Sequence, residues 1–142
     1  MTQEDKQLLL KDLSARLFYG VYIENAFYSS FGEVIKVKEQ LNPEHLTILY
    51  NDIYNDENWH SNIFKPYLRP MSSMTEKEKK MVCSMNGLSD TELNDRTEYP
   101  NIYVKNYTIE TFDYFNEHHL DYRGLIPMGL ASEAKEGMYK TD

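Results

Sequence analysis

Apolar positions along the first sixteen or so residues recur at helical spacing. Leu9, Leu10, Leu13 and Leu17 form a stripe that Leu8 widens, while Lys6, Gln7, Lys11 and Asp12 fall on the other side. The pattern predicts an amphipathic helix over residues 2–17. Thr2 serves as its N-cap, and Glu4 and Asp5 sit in the electropositive first turn. Gly20 marks the stop. The period then falls to two. Tyr19, Val21 and Ile23 share one face and Tyr22 and Glu24 the other, which predicts a strand over 19–25. Tyr28–Gly32 has turn composition. A second strand is expected over Glu33–Glu39, with Ile35 and Val37 inward and Lys36 and Lys38 outward. Asn42-Pro43-Glu44 reads as a turn. A third strand is expected over 45–50, with Leu46, Ile48 and Tyr50 on one face, and a short fourth around Trp59–Phe64.

Lys65-Pro66-Tyr67-Leu68-Arg69-Pro70 changes the pattern. Two prolines fix two φ angles, remove two donors and push the residues before them out of the α region. The expectation is a stiff, extended connector that displays Tyr67, Leu68 and Arg69. Thr75 and Glu78 then form a capping box that opens a helix carrying Met81, Val82 and Met85, closed by Asn86-Gly87. Ser89 and Glu92 form another, with Leu88 and Leu93 as its hydrophobic staple. Pro100 breaks the next stretch, and Ile102–Val104 reads as one more short strand. The last helix starts near Thr108, with Ile109, Phe112, Phe115 and His119 on a common face. Together these elements predict an α+β fold in a single domain over 1–142. A β-rich part spans 19–64, the proline connector 65–70, a helical part 74–130 and a loose tail 131–142. The β half is expected as an antiparallel meander of four short strands, with a small SH3-like barrel as its alternative form.

Composition narrows the partners. The net charge of −8 opposes a large nucleic-acid footprint and an anionic membrane surface. No run approaches the roughly 20 apolar residues of a membrane span. The N-terminal residues lack a signal peptide's charged and apolar regions, and the single cysteine, Cys83, fits a reducing compartment, so a cytoplasmic location is expected. Twelve tyrosines suit half-buried strand faces and interfaces alike.

The densest polar cluster is His118-His119-Leu120-Asp121-Tyr122-Arg123. Adjacent helical histidines diverge by about 100°, so they do not share a metal. His45 and His60 are remote in sequence, and neither a metal nor another cofactor is expected. A His–Asp pair would need an oriented nucleophile, and no nucleophile motif is present. The structural reading is preferred: His119 packs beneath Phe112 and Phe115, and Asp121 and Arg123 satisfy helix-end groups or each other. Cys83 reads as a small buried hydrophobe. Lys65, Arg69, Lys77, Lys79 and Lys80 interleave with Glu76 and Glu78, a solvated mixed-charge face rather than a phosphate site. Met71, Met74, Met81 and Met85 read as gap-fillers between helix and sheet.

The stretches KPYLRPMSSMTEKE and HHLDYRGLIPMGLA, the tail EGMY and the start MTQEDKQLLLKDLSARL followed by YGV are similar to the signatures of a family of small proteins. Its members are encoded by gut anaerobic bacteria, their phages and mobile elements. Phe18 stands where that pattern has proline. No activity is attached to the family, so the resemblance implies only a setting, that of a bacterial or phage accessory protein. The functional expectation is a non-catalytic protein-interaction role, with the same chain or a host or phage protein as partner. The candidate binding residues are Tyr67, Leu68, Arg69, His118, His119, Asp121, Tyr122 and Arg123. Two alternatives accompany it. One is single-stranded nucleic-acid binding through Tyr22, Tyr50 and Trp59 on a β surface. The other is an enzyme built on the His118–Arg123 cluster.

Overall fold

The structure is a computed structural model that describes residues 1–55, 62–98 and 106–140. The fold is α+β, with five helices and a four-stranded sheet among those residues. The chain divides into two compact units between Tyr67 and Leu68.

In the first unit, α1 spans Gln3–Arg16. The Thr2 hydroxyl accepts from the Asp5 N–H at 3.0 Å, and the Asp5 carboxylate accepts from the Thr2 N–H at 3.1 Å. Leu9 and Leu13 are fully buried, as their spacing requires. Asp12, assigned to the polar side, is buried too. Its carboxylate takes two hydrogen bonds from Arg16, one turn on, which neutralises both charges inside the unit. A 3₁₀ turn over Leu17–Tyr19 and left-handed Gly20 (φ 72°) follow, so β1 begins at Tyr22 rather than Tyr19.

Strand β1 (Tyr22–Tyr28) pairs antiparallel with β2 (Val34–Gln40) through a turn at Ser29–Glu33, where Gly32 is left-handed. The third expected strand is instead a helix, α2 (Pro43–Tyr54). Asn42 accepts from the His45 N–H, the His45 ring accepts in return from the Asn42 N–H, and Pro43 occupies the first turn, where a missing donor costs nothing. His45, Leu49 and Ile53 are its buried stripe at four-residue spacing. The alternation of Leu46, Ile48 and Tyr50 was local, and a cap plus an i, i+4 stripe prevailed over it.

Residues 56–61, which include Trp59 of the expected fourth strand, lie outside the described residues. Strand β3 is Ile63–Leu68, so the proline-bearing segment is itself part of the sheet. The strands run in the order β2-β1-β3-β4, an open sheet rather than a barrel. Strand β4 is the dipeptide Ser132–Glu133, joined where the Ala134 N–H donates to the Leu68 carbonyl at 2.7 Å. Pro66 is tolerated for a geometric reason. Odd positions of β1 bond toward β2, so Glu24 and Ala26 bond toward β3, opposite Lys65 and Ile63. Pro66 therefore falls at a position whose missing N–H would point away from β1.

In the second unit, α3 (Glu76–Asn86) starts on the Thr75–Glu78 capping box and ends at left-handed Gly87. Helix α4 (Asp90–Glu98) starts on the Ser89–Glu92 box, as expected. The break at Pro100 and the strand at Ile102–Val104 fall outside the described residues. Helix α5 is Ile109–Glu117, capped by Thr108. Tyr107 meets Phe112 edge-on at 6.1 Å, a hydrophobic staple around the Thr108 cap. Ile109 is 81% exposed, against expectation. The core comprises Met71, Met74, Val82, Leu93, Phe115, Leu120 and Tyr122 among others, so Met71 and Met74 do fill core space while Met81 faces out. Within the 131–142 segment, Tyr139 stacks on His119 with ring centres 3.8 Å apart.

Candidate functional site

The His118–Arg123 cluster resolves into separate structural contacts. Helix α5 ends in a left-handed turn at His119 (φ 61°). The His119 N–H donates to the Asn116 carbonyl and the Leu120 N–H to the Phe115 carbonyl, the paired bonds of a Schellman motif. Leu120 and Phe115, both fully buried, supply its hydrophobic contact. The left-handed residue therefore sends Leu120 into the core, and the His119 ring stacks on Tyr139 rather than packing beneath Phe112 and Phe115. His118 stacks on Tyr114 at 4.0 Å, and its Nδ1 bonds the Tyr114 carbonyl. The Asp121 carboxylate accepts the Leu125 and Ile126 N–H groups at 2.8 and 2.9 Å. Tyr122 donates its hydroxyl to Asn116, and the Arg123 guanidinium lies 5.0 Å over the Tyr122 ring. These side chains do not converge on a common point.

Tyr67, Leu68 and Arg69 are buried, which corrects the expectation of a displayed tripeptide. Tyr67 points its hydroxyl at Glu24 across the sheet, and burial followed by the Glu24 charge pushes its pKa up. Arg69 is the hub of the second unit. Its guanidinium grips Glu78 through two bonds of 2.8 and 2.7 Å and also donates to the His118 and Ser73 carbonyls. Its backbone bridges to the other side of Leu120, taking the Asp121 N–H and giving its own N–H to His119. Burial alone would raise the Glu78 pKa, but the Arg69 bonds, the Thr75 N–H and the Arg69 charge outweigh it and hold it low. Arg69 and Glu78, expected on a solvated face, form instead a buried pair. Cys83 is half-buried, and desolvation with the Asp90 carboxylate pushes its thiol up, away from the reactive thiolate.

The sheet offers a different surface, one that sequence reasoning overlooked. Strand β2 is the outermost strand and is exposed along nearly its whole length. Ile35 and Val37 do face the same side as Ile23, but at the rim they remain 37% exposed each. On the opposite face, Tyr28 and Val34 are paired across the strands and both are exposed, as is Ile63 on β3. Phe31, at the hairpin tip, is 91% exposed. A groove of about 240 Å³ runs over this face between Glu24, Ala26, Val34, Lys36, Ile63 and Lys65. A signal was present: lysines at alternate positions of a strand are compatible with a sheet edge. Tyr22 lies on this face with Lys38 5.1 Å over its ring, whereas Tyr50 is on α2 and Trp59 is outside the described residues. The three aromatics named for base stacking are therefore not one β surface.

Among the described residues no group of three or more His, Cys, Asp or Glu is placed to hold a metal ion, and no helix is long and apolar enough to cross a membrane. No protein-family model, curated protein or solved structure matches the chain.

Proposed function

We propose that this chain is a non-catalytic protein-interaction module, and that the β1–β2 hairpin with its outer strand is the docking surface. The observation that supports the reading is the state of β2. A strand open on its outer edge, apolar at Val34, Ile35 and Val37 and followed back to an exposed Phe31, is a template for another chain. The exposed apolar side chains lie on both faces of the strand, Val34 beside Tyr28 on one and Ile35 and Val37 on the other, so an added strand meets apolar side chains whichever way it faces. The resemblance to small bacterial and phage proteins supports an accessory setting inside a cell.

The experiment compares the wild-type chain with Phe31→Ser/Val34→Thr/Val37→Thr. The outcome expected is a discrete complex, seen by light scattering and cross-linking in a bacterial lysate, that forms with the wild type and not with the variant. Both proteins should melt at the same temperature within a few degrees. Identical behaviour of the two proteins at matched stability would remove the hairpin as the docking surface.

A further inference from the structure

We infer that β2 accepts a partner by strand addition, and that the partner segment alternates acidic with apolar residues. The inference rests on the docking reading above and adds the chemistry of the occupant. The Ser29 N–H donates to the Glu33 carbonyl and the Leu41 N–H to the Val21 carbonyl, which sets the parity of the ladder. With the β1–β2 register, Ile35, Val37 and Glu39 bond inward to β1. The N–H and C=O groups of Val34, Lys36, Lys38 and Gln40 consequently point out from the sheet, and no partner for them is found among the described residues. A strand added there meets Lys36 and Lys38 directly on one face and Ile35 and Val37 on the other.

The charge on that rim selects the occupant. Lys36, Lys38 and Lys65 share the groove face, with Glu24 between Lys38 and Lys65 and uncharged Ala26 opposite Lys36. Opposite charges across strands stabilise a pair and like charges destabilise it. A second copy is disfavoured on this ground. An antiparallel β2–β2 pair centred on Lys36, Val37 or Lys38 sets a lysine against a lysine in each case. Lysines on an open edge repel a basic strand and give a neutral one nothing to offset the cost of covering their charges. The same charges admit one that brings carboxylates opposite them, while its alternate apolar residues cover Ile35 and Val37.

The test uses three blocked seven-residue peptides in which valine alternates with glutamate, threonine or lysine, followed by fluorescence anisotropy at low salt. The glutamate peptide should bind at least about tenfold tighter than the threonine peptide, and the lysine peptide weakest. Lys36→Glu/Lys38→Glu should reverse the order. Lys36→Pro removes an outward N–H without touching the β1 ladder and should abolish binding at unchanged circular dichroism. Equal binding of the glutamate and threonine peptides overturns the acidic partner but leaves the docking surface standing. Glutamate binding that survives Lys36→Pro overturns strand addition. Self-association lost in Lys36→Pro, with no peptide bound, overturns the inference in favour of a second copy. Salt-sensitive binding of oligo-dT, lost in Lys36→Glu/Lys38→Glu, overturns it in favour of nucleic acid. If no peptide binds and the Phe31, Val34 and Val37 variant also behaves as wild type, the docking reading falls with it.

Discussion

Glu78→Gln is the substitution that asks most of the second unit. The carboxylate accepts three bonds, from the two Arg69 nitrogens at 2.8 and 2.7 Å and from the Thr75 N–H at 2.8 Å, with both side chains almost wholly buried. A glutamine oxygen in the Oε1 position keeps two of these. Its amide nitrogen then faces an Arg69 nitrogen that only donates. One charge-assisted bond is lost and a buried guanidinium is left without its counter-charge. Breaking such a pair costs about 3–5 kcal/mol, and the bonds that remain place the expected loss near the lower end, about 3 kcal/mol. In urea unfolding followed by far-UV circular dichroism at pH 7, a slope of about 1–3 kcal/mol per molar puts the midpoint roughly 1–3 M lower. Replacing both partners with Arg69→Met/Glu78→Leu should recover only part of the loss: no buried charge then remains, but the Thr75 N–H and the His118 and Ser73 carbonyls lose their side-chain partners. The acid limb carries a sign. The folded Glu78 pKa lies below its ordinary 4.5, so the unfolded chain binds the extra proton in that window and stability falls with falling pH. The contribution is complete above about 4.5 and is lost as pH drops through the folded value. The gap between wild type and Glu78→Gln therefore narrows only in acid. A gap under about 0.5 kcal/mol at pH 7, typical of an exposed ion pair, would refute the assignment.

Tyr107 is held protonated by burial, which the Arg96 charge only partly offsets, and its pKa is pushed up to about 12. Ultraviolet titration should show one phenol ionising well after the exposed tyrosines; the associated stability is complete below pH 10 and is lost as pH rises from 10 towards 12. Its hydroxyl has no hydrogen-bond partner among the described residues, so Tyr107→Phe should leave thermal stability unchanged or raise it by up to about 1 kcal/mol. Asp121→Ala strips the acceptor from two backbone N–H groups and should cost about 2 kcal/mol in the same urea assay. Asp121→Asn, which keeps one oxygen, should cost less, and no loss in either variant would contradict the capping role.

The elements with their own punctuation were legible. Thr2, Thr75, Ser89 and Thr108 all cap helices, and Gly87 ends one, because each of these contacts lies within four residues. The same kind of signal stands at Asn42-Pro43, but the short alternation after it imitates a strand, and only the folded chain shows α2 there. The proline pair was read as a connector, because sequence shows a missing donor but not the side of the strand on which it is missing. His118–Arg123 and Tyr67–Arg69 carry the chemistry-bearing side chains of the sequence, and the fold spends them on caps, stacking and burial. At Val34–Gln40 the alternating lysines are compatible with an edge, but the same alternation fits any strand with one solvated face, so the open edge follows only from the strand order.

The division is one of range. Caps, turns, helix stripes and the left-handed glycines follow from interactions between residues close in the chain, and the sequence pattern carries them. Strand order, the burial of Arg69 against Glu78 nine residues on, and the exposure of β2 depend on which segments meet. Those outcomes are set by tertiary packing, where a lysine–valine alternation becomes an open edge only because β1 takes its other partner, β3, from nearly forty residues away.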